Sequence, residues 1–228
     1  MFAALLASAL VATGAPDSLA SLPKPRAGTL RVFLVRHGQA LSNLDPAPDL
    51  PKDALDHLTT LGREQATQAG QALRGQGVSR VLTSPARRAR ETAELVAGVL
   101  GAPEATPEAR LRPLELGNAG DGRPLDWDAR IADWEKGNDP APPGGESMEQ
   151  LGRRVAELVA TLTREASASV IVLVAHSEVI GAYVGLLRGT LPARRYPPAI
   201  ANGSITVVDA RPGAAASLLV VDYRALRP

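Results

Sequence analysis

The stretch Leu30-Arg-Val-Phe-Leu-Val-Arg-His-Gly38 decides the fold. Leu30–Val35 is a short, nearly unbroken apolar run, the pattern of a strand buried on both faces. The run stops abruptly at Arg36-His37-Gly38. A second run of the same kind, Val170–Ala175, stops at His176-Ser177. Three more, Val78–Leu82, Ile205–Val208 and Leu218–Val221, are bounded by Gly, Pro, Ser or Asp and also read as strands. Leu111–Leu116 (LRPLEL) alternates apolar and polar residues but carries Pro113, so it reads as a weaker edge segment.

Helical patterns fill the intervals. Leu61–Leu73 precedes Gly75 and Gly77. Ser84-Pro85 reads as an N-cap followed by proline at the first helical position, opening a helix that runs to about Leu100 and stops at Gly101. Ser147-Met-Glu-Gln150 is a capping box, with Leu151, Val155, Leu158, Val159 and Leu162 at helical spacing behind it. A last helix follows His176 to about Leu187. The alternation predicts an α/β chain: a three-layer αβα sandwich whose mostly parallel central sheet carries helices on both faces.

Residues 29–228 are expected to form one domain, with an irregular insertion at about 118–145 that is rich in Gly, Pro and Asp and holds Trp127 and Trp134. Residues 1–28 read as leader and linker. Phe2–Val11 is too short for a bilayer, which needs about 20 residues. It fits the apolar core of a signal peptide, with Ser18-Leu19-Ala20 as a small-residue cleavage site, yet no Lys or Arg precedes it. A cytoplasmic location is the expectation, export the alternative, and stable membrane insertion is not expected.

Composition narrows the function. The 228 residues include no cysteine, which excludes disulfides, thiol nucleophiles and Cys-based zinc sites. Lys+Arg 25 against Asp+Glu 24, with 3% aromatic residues, speaks against a nucleic-acid partner. Neither His37 nor His176 has an HxxxH, HExxH or paired-carboxylate motif near it, so a metal site is not expected. Of three histidines, His57 lies in a polar loop and reads as solvated. His37 and His176 both follow buried strands, where open α/β sheets bind ligands. Histidine can act as a nucleophile. Phosphoryl transfer asks the protein mainly for positioning and charge neutralisation, for which the planar fork of arginine is suited. Arg36 adjoins His37, and Arg87-Arg88-Ala-Arg90 begins the helix after another strand end.

These blocks resemble the phosphoglycerate-mutase-like branch of the histidine phosphatase superfamily, over roughly Leu30 to Val208. The opening block is LVRHGQALSN, with Gln39-Ala40 in place of the family's glutamate–threonine pair. LTTLGREQA (58–66), TSPARRARETA (83–93), PGGES (143–147) and VLVAHS (172–177) match further blocks in the family's order. The resemblance implies the phosphoglycerate-mutase-like sandwich and no metal or other cofactor. It makes His37 the nucleophile that becomes phosphohistidine, and assigns the phosphoryl group to Arg36, Arg88 and a protonated His176. Asn43, Gln39 and Gly38 are the expected substrate-binding neighbours.

The general acid departs from the pattern. Aligning Gly117 with the family's glycine puts Pro113 at the usual glutamate position. Glu115, two residues on, would face the same way in a strand and is the favoured substitute. Glu178, in a His-Ser-Glu segment similar to a His-Ala-Glu motif of a distant branch, is the second candidate. The expected activity is metal-independent hydrolysis of a small phosphorylated substrate. A mutase, or a catalytically weak phosphate-ligand binder, are the alternatives. Arg123, Arg130 and Lys136 are the cations of the insertion that a mutase could use for a second anion. The oligomeric state is not legible.

Overall fold

The computed structural model describes residues 18–165, 169–190 and 200–225. The apolar stretch Phe2–Val11 lies outside them. Among the described residues six strands form one sheet: β1 Leu30–Arg36, β2 Val78–Thr83, β3 Thr106–Pro107, β4 Val170–Ala175, β5 Ile205–Ala210 and β6 Ser217–Tyr223. Their spatial order is β3-β2-β4-β1-β5-β6. All pairs on the β3 to β1 side are parallel, whereas β5 runs antiparallel to both β1 and β6. The sheet is therefore mostly parallel, as expected, with one reversed strand.

The α-helices among the described residues are α1 Lys52–Leu55, α2 Thr60–Ala72, α3 Arg87–Leu100, α4 Trp127–Glu135, α5 Met148–Glu165 and α6 Ser177–Leu187. Period-two alternation assigns the two faces of β1. Leu30, Val32 and Leu34 pack with Leu151, Val155 and Leu158 of α5 and Val179, Ile180 and Tyr183 of α6. Phe33 and Val35 pack with Ala69 of α2, with Leu73 just beyond it, and with Ala89, Ala93 and Val96 of α3. Two apolar layers thus sandwich the sheet. The capping box before α5 is present, with Gln150 N–H donating to Ser147 Oγ (3.1 Å) and Ser147 N–H to Gln150 Oε1 (2.9 Å). Gly101 ends α3 in the left-handed conformation, φ 60°.

Several expectations are corrected. Leu111–Leu116 is not a strand: a 3-10 turn at Ala109–Leu111 leads into irregular chain. Its buried residues, Leu111 and Leu114, are three apart, not two. Ser84 does not cap α3, whose N-cap is Ala86; Ser84 is wholly buried and used elsewhere. The insertion is not wholly irregular, because the Asp126 side chain accepts from Ala129 N–H (2.9 Å) and starts α4. His57 is not simply solvated: its Nδ1 is paired with Glu91 Oε1 at 2.7 Å. Packing also begins before residue 29. Leu19, within the expected cleavage site, is 1% exposed in the cluster that holds Phe33.

Candidate active site

Topology places the site. From β1 the chain turns to α2 on one face of the sheet, and from β4 it turns to α6 on the other. β1 and β4 are parallel neighbours, with Arg36 paired to Ala175. Such a divergence opens a crevice at the carboxyl ends of the two strands. His37 and His176 are the next residues on each, and their ring centroids are 5.1 Å apart.

Hydrogen bonds define the imidazole tautomers. Nδ1 of His37 lies 2.8 Å from Gly38 O, and a carbonyl only accepts, so Nδ1 carries the proton. Nε2 keeps its lone pair and accepts from Arg88 Nε at 3.1 Å. Nδ1 of His176 faces Arg88 Nη2 at 3.1 Å. Arginine only donates, so this nitrogen accepts and Nε2 donates to Ser84 Oγ, 2.8 Å away. Both rings are buried, and desolvation pushes their pKa values well below the usual 6.5. Arg88 and Arg36 lower both further, and His37 also opposes a charge on His176. In the free site burial, His37 and the two guanidiniums therefore oppose a charge on His176, the residue that the resemblance makes a protonated phosphate ligand.

Arg36 stands beside the histidines and is anchored by Nη1 to Ile200 O at 2.5 Å. Arg88, on the first turn of α3, contacts both imidazoles. His37, Arg36, Arg88 and His176 thus converge. Glu178, in the first turn of α6, is 8% exposed. Burial raises its carboxyl above the usual 4.5, against the opposing pull of its own and the Leu114 backbone N–H groups, Arg88 and Arg36. Glu115 does not join them. Its half-exposed side chain is tied to Arg112 Nε at 2.8 Å, and that bond holds its carboxyl below the usual range.

The remaining expected neighbours have structural partners. A Cβ on Gly38 would sit 2.1 Å from Gly62 O, so glycine permits the loop after β1 to cross α2. Its N–H donates to Thr92 Oγ1 (3.0 Å). Gln39 is engaged through Oε1 with Thr59 Oγ1 (2.9 Å). Asn43 Oδ1 accepts from Ala40 N–H (3.0 Å) and from Asn202 Nδ2 (3.4 Å). Sequence reasoning missed Ser84, Asn202 and Asp56. Asn202 Nδ2 donates to His37 O (3.1 Å). Asp56 Oδ1 takes Arg88 Nη1 (2.5 Å). Each is joined to the site by a long-range contact that no local motif announces. Among the described residues, no group of three or more His, Asp and Glu side chains could hold a metal ion.

The sequence profile of the histidine phosphatase superfamily (branch 1) matches residues 32–222. A probable phosphoglycerate mutase GpmB of Yersinia enterocolitica is 30% identical over 188 residues, covering 79% of this chain and 85% of the relative. Among solved structures, a mycobacterial glucosyl-3-phosphoglycerate phosphatase complexed with VO3 is similar at a TM-score of 0.66 and 28% identity, over 85% of this chain and 99% of that one. Bacillus stearothermophilus YhfR is similar at a TM-score of 0.66 and 25% identity, over 85% and 97% of the two chains. The match spans both histidines and nearly the whole sheet, and the chain belongs to branch 1 of the histidine phosphatase superfamily.

Proposed function

We propose that this chain hydrolyses small phosphomonoesters through a phosphohistidine on His37, without a metal or other cofactor. The observation that carries the reading is the His37 tautomer: Nδ1–H is spent on Gly38 O, and the Nε2 lone pair faces the arginine-lined crevice. An incoming phosphoryl oxygen takes over the donors that Arg88 now gives to the two imidazoles. Nε2 attacks phosphorus and the bond to the ester oxygen breaks. Glu178, whose carboxyl burial pushes above the usual range, gives its proton to that oxygen. Water then attacks phosphorus, Glu178 recovers a proton from it, and the P–N bond breaks to release phosphate. Arg36 and Arg88 offset the charge spread over the equatorial oxygens.

A mutase is the second reading, favoured by the names of the curated relatives. Such an enzyme needs cations for a second anionic group. Arg130 is fully buried and donates to the carbonyls of Pro140 and Glu146. Arg123 projects into solvent with Asp121 at 2.7 Å. Two of the three insertion cations are thus engaged, which supports hydrolysis over isomerisation.

The test is turnover of an aryl phosphate with a chelator present, for wild type and His37→Ala. Wild type turns over and the variant does not, and rapid quench traps an acid-labile phosphoryl group on the wild type. Wild-type rates in His37→Ala overturn the reading. Isomerisation of monophosphoglycerate with a bisphosphorylated primer, faster than hydrolysis, replaces it with the mutase.

A further inference from the structure

Arg88 is held from two sides. Nε and Nη2 point at the imidazoles of His37 and His176. Nη1 lies 2.5 Å from Asp56 Oδ1. The other carboxylate oxygen, Oδ2, accepts the backbone N–H of Arg87 at 2.8 Å, in the first turn of α3. Asp56 is itself fixed. It is the C-cap of α1. The two residues that follow it are bound to Glu91 of α3, His57 through Nδ1 (2.7 Å) and Leu58 through its backbone N–H (3.1 Å). The planar guanidinium therefore has one edge on the carboxylate and another on the histidines. A phosphoryl group against the imidazoles approaches from the histidine edge and leaves the Asp56 contact intact.

We infer that Asp56 positions Arg88 and sets how tightly the site holds phosphate, an inference that rests on the phosphatase reading. The hydrogen bonds of the two imidazoles fit neutral tautomers, so the positive charge beside a bound phosphate comes from Arg36 and Arg88, and Asp56 cancels that of Arg88. A phosphate dianion then meets one net positive charge, not two, and a fixed carboxylate repels it across the guanidinium. Ester substrate and inorganic phosphate feel the same repulsion. Asp56 thus weakens retention of the product, so that the crevice does not stay blocked after each cycle.

Asp56→Asn tests this, because asparagine keeps the shape and an acceptor oxygen while removing the charge. Inorganic phosphate is titrated calorimetrically into wild type and variant, and KM and kcat are measured on an aryl phosphate. The variant is expected to bind phosphate about tenfold more tightly, with a parallel fall in KM and no gain in kcat. A residue that merely braced the fold would not tighten phosphate binding when changed. Phosphate affinity that is unchanged or weaker in a folded variant overturns the inference. If Asp56→Asn does not fold, Asp56→Ser keeps an acceptor for Arg87 N–H without charge and is judged by the same titration. Wild type that neither turns over ester nor binds phosphate overturns the phosphatase reading, and the inference with it. Wild type that does both, beside a variant that binds no more tightly, overturns the inference alone.

Discussion

The backbone N–H of Leu114 lies near enough to Glu178 to draw its carboxyl pKa down against the effect of burial. This proximity sets a carboxyl from the start of α6 near the segment that follows Pro113, where the resemblance places the family's glutamate. On the proposed reading the acid stands at a different place along the chain while staying near one place in space. Glu178→Gln is expected to lower kcat by about 10²–10⁴-fold on an alkyl phosphate, and by less on an aryl phosphate whose leaving group needs no proton. Glu115→Gln should stay within about twofold of wild type, because its carboxyl is occupied by Arg112 in solvent. Wild-type activity falls as pH rises through the elevated pKa of Glu178, and that alkaline limb is absent from Glu178→Gln. Steady-state rates across pH for the three proteins check all of this.

The two histidines tie stability to pH. Their folded pKa values lie well below the usual 6.5. Above that value neither the folded nor the unfolded imidazole carries the extra proton, and the contribution is complete. As pH falls through 6.5 the unfolded chain binds protons that the folded site refuses. Stability then drops by up to about 1.4 kcal/mol per pH unit for each histidine. Glu178 acts in the opposite sense, since its raised pKa favours the folded chain at low pH and that gain is lost as pH rises from the usual 4.5 toward the folded value. Urea unfolding at about pH 7.5 and 5.5 should show a smaller loss for His176→Gln than for wild type, by roughly one proton's worth of slope.

Arg154 fixes the segment that carries Leu114. From α5 its guanidinium binds Glu146 at 2.5 Å and 3.1 Å, Arg110 O at 2.6 Å and Arg112 O at 3.1 Å. Both partners of the ion pair are nearly buried. Arg154→Met leaves the Glu146 charge and these carbonyls unsatisfied and should cost about 3–5 kcal/mol in urea unfolding. Arg154→Lys should recover only part of that, because a point ammonium cannot reproduce the fork.

The crossing of Gly38 and Gly62 admits no side chain on either strand of chain. A Cβ on Gly62 would lie 2.0 Å from Gln39 O, the counterpart of the clash at Gly38. Both obstacles are backbone, so Gly38→Ala must push α2 off the loop after β1. A loss of about 3 kcal/mol is expected by thermal unfolding. Activity should fall further than stability, because Gly38 O is the acceptor that sets the His37 tautomer.

The strands that carry the histidines were legible because a doubly covered strand must be apolar throughout, and Leu30–Val35 and Val170–Ala175 have no other reading. The approach of Arg36 and His176 to His37 followed from their places at strand ends, whereas Arg88 was distinguished from Arg87 and Arg90 only by the resemblance. Glu115 was misplaced because its argument required period two, whereas the chain from Leu111 to Leu114 turns with period three and Arg112 captures the carboxylate. Ser84 looked like a cap because Ser-Pro opens many helices, but here α3 starts later and the hydroxyl serves His176. Asp56 and Asn202 reach the site across 32 and 165 residues of chain, a separation at which local patterning carries no signal.

Leu19 turns the question of maturation into one of packing. It is buried in the cluster that holds Phe33 and Leu73, Gln76 Nε2 donates to its carbonyl (3.2 Å), and Arg31 Nη1 clips the following segment through Pro23 O (2.8 Å). A peptidase cutting after Ala20 would pull this plug from the finished domain and leave a hole of leucine size, at a cost of about 2–5 kcal/mol. A protein trimmed to start at residue 23 should accordingly melt below the full chain in thermal unfolding.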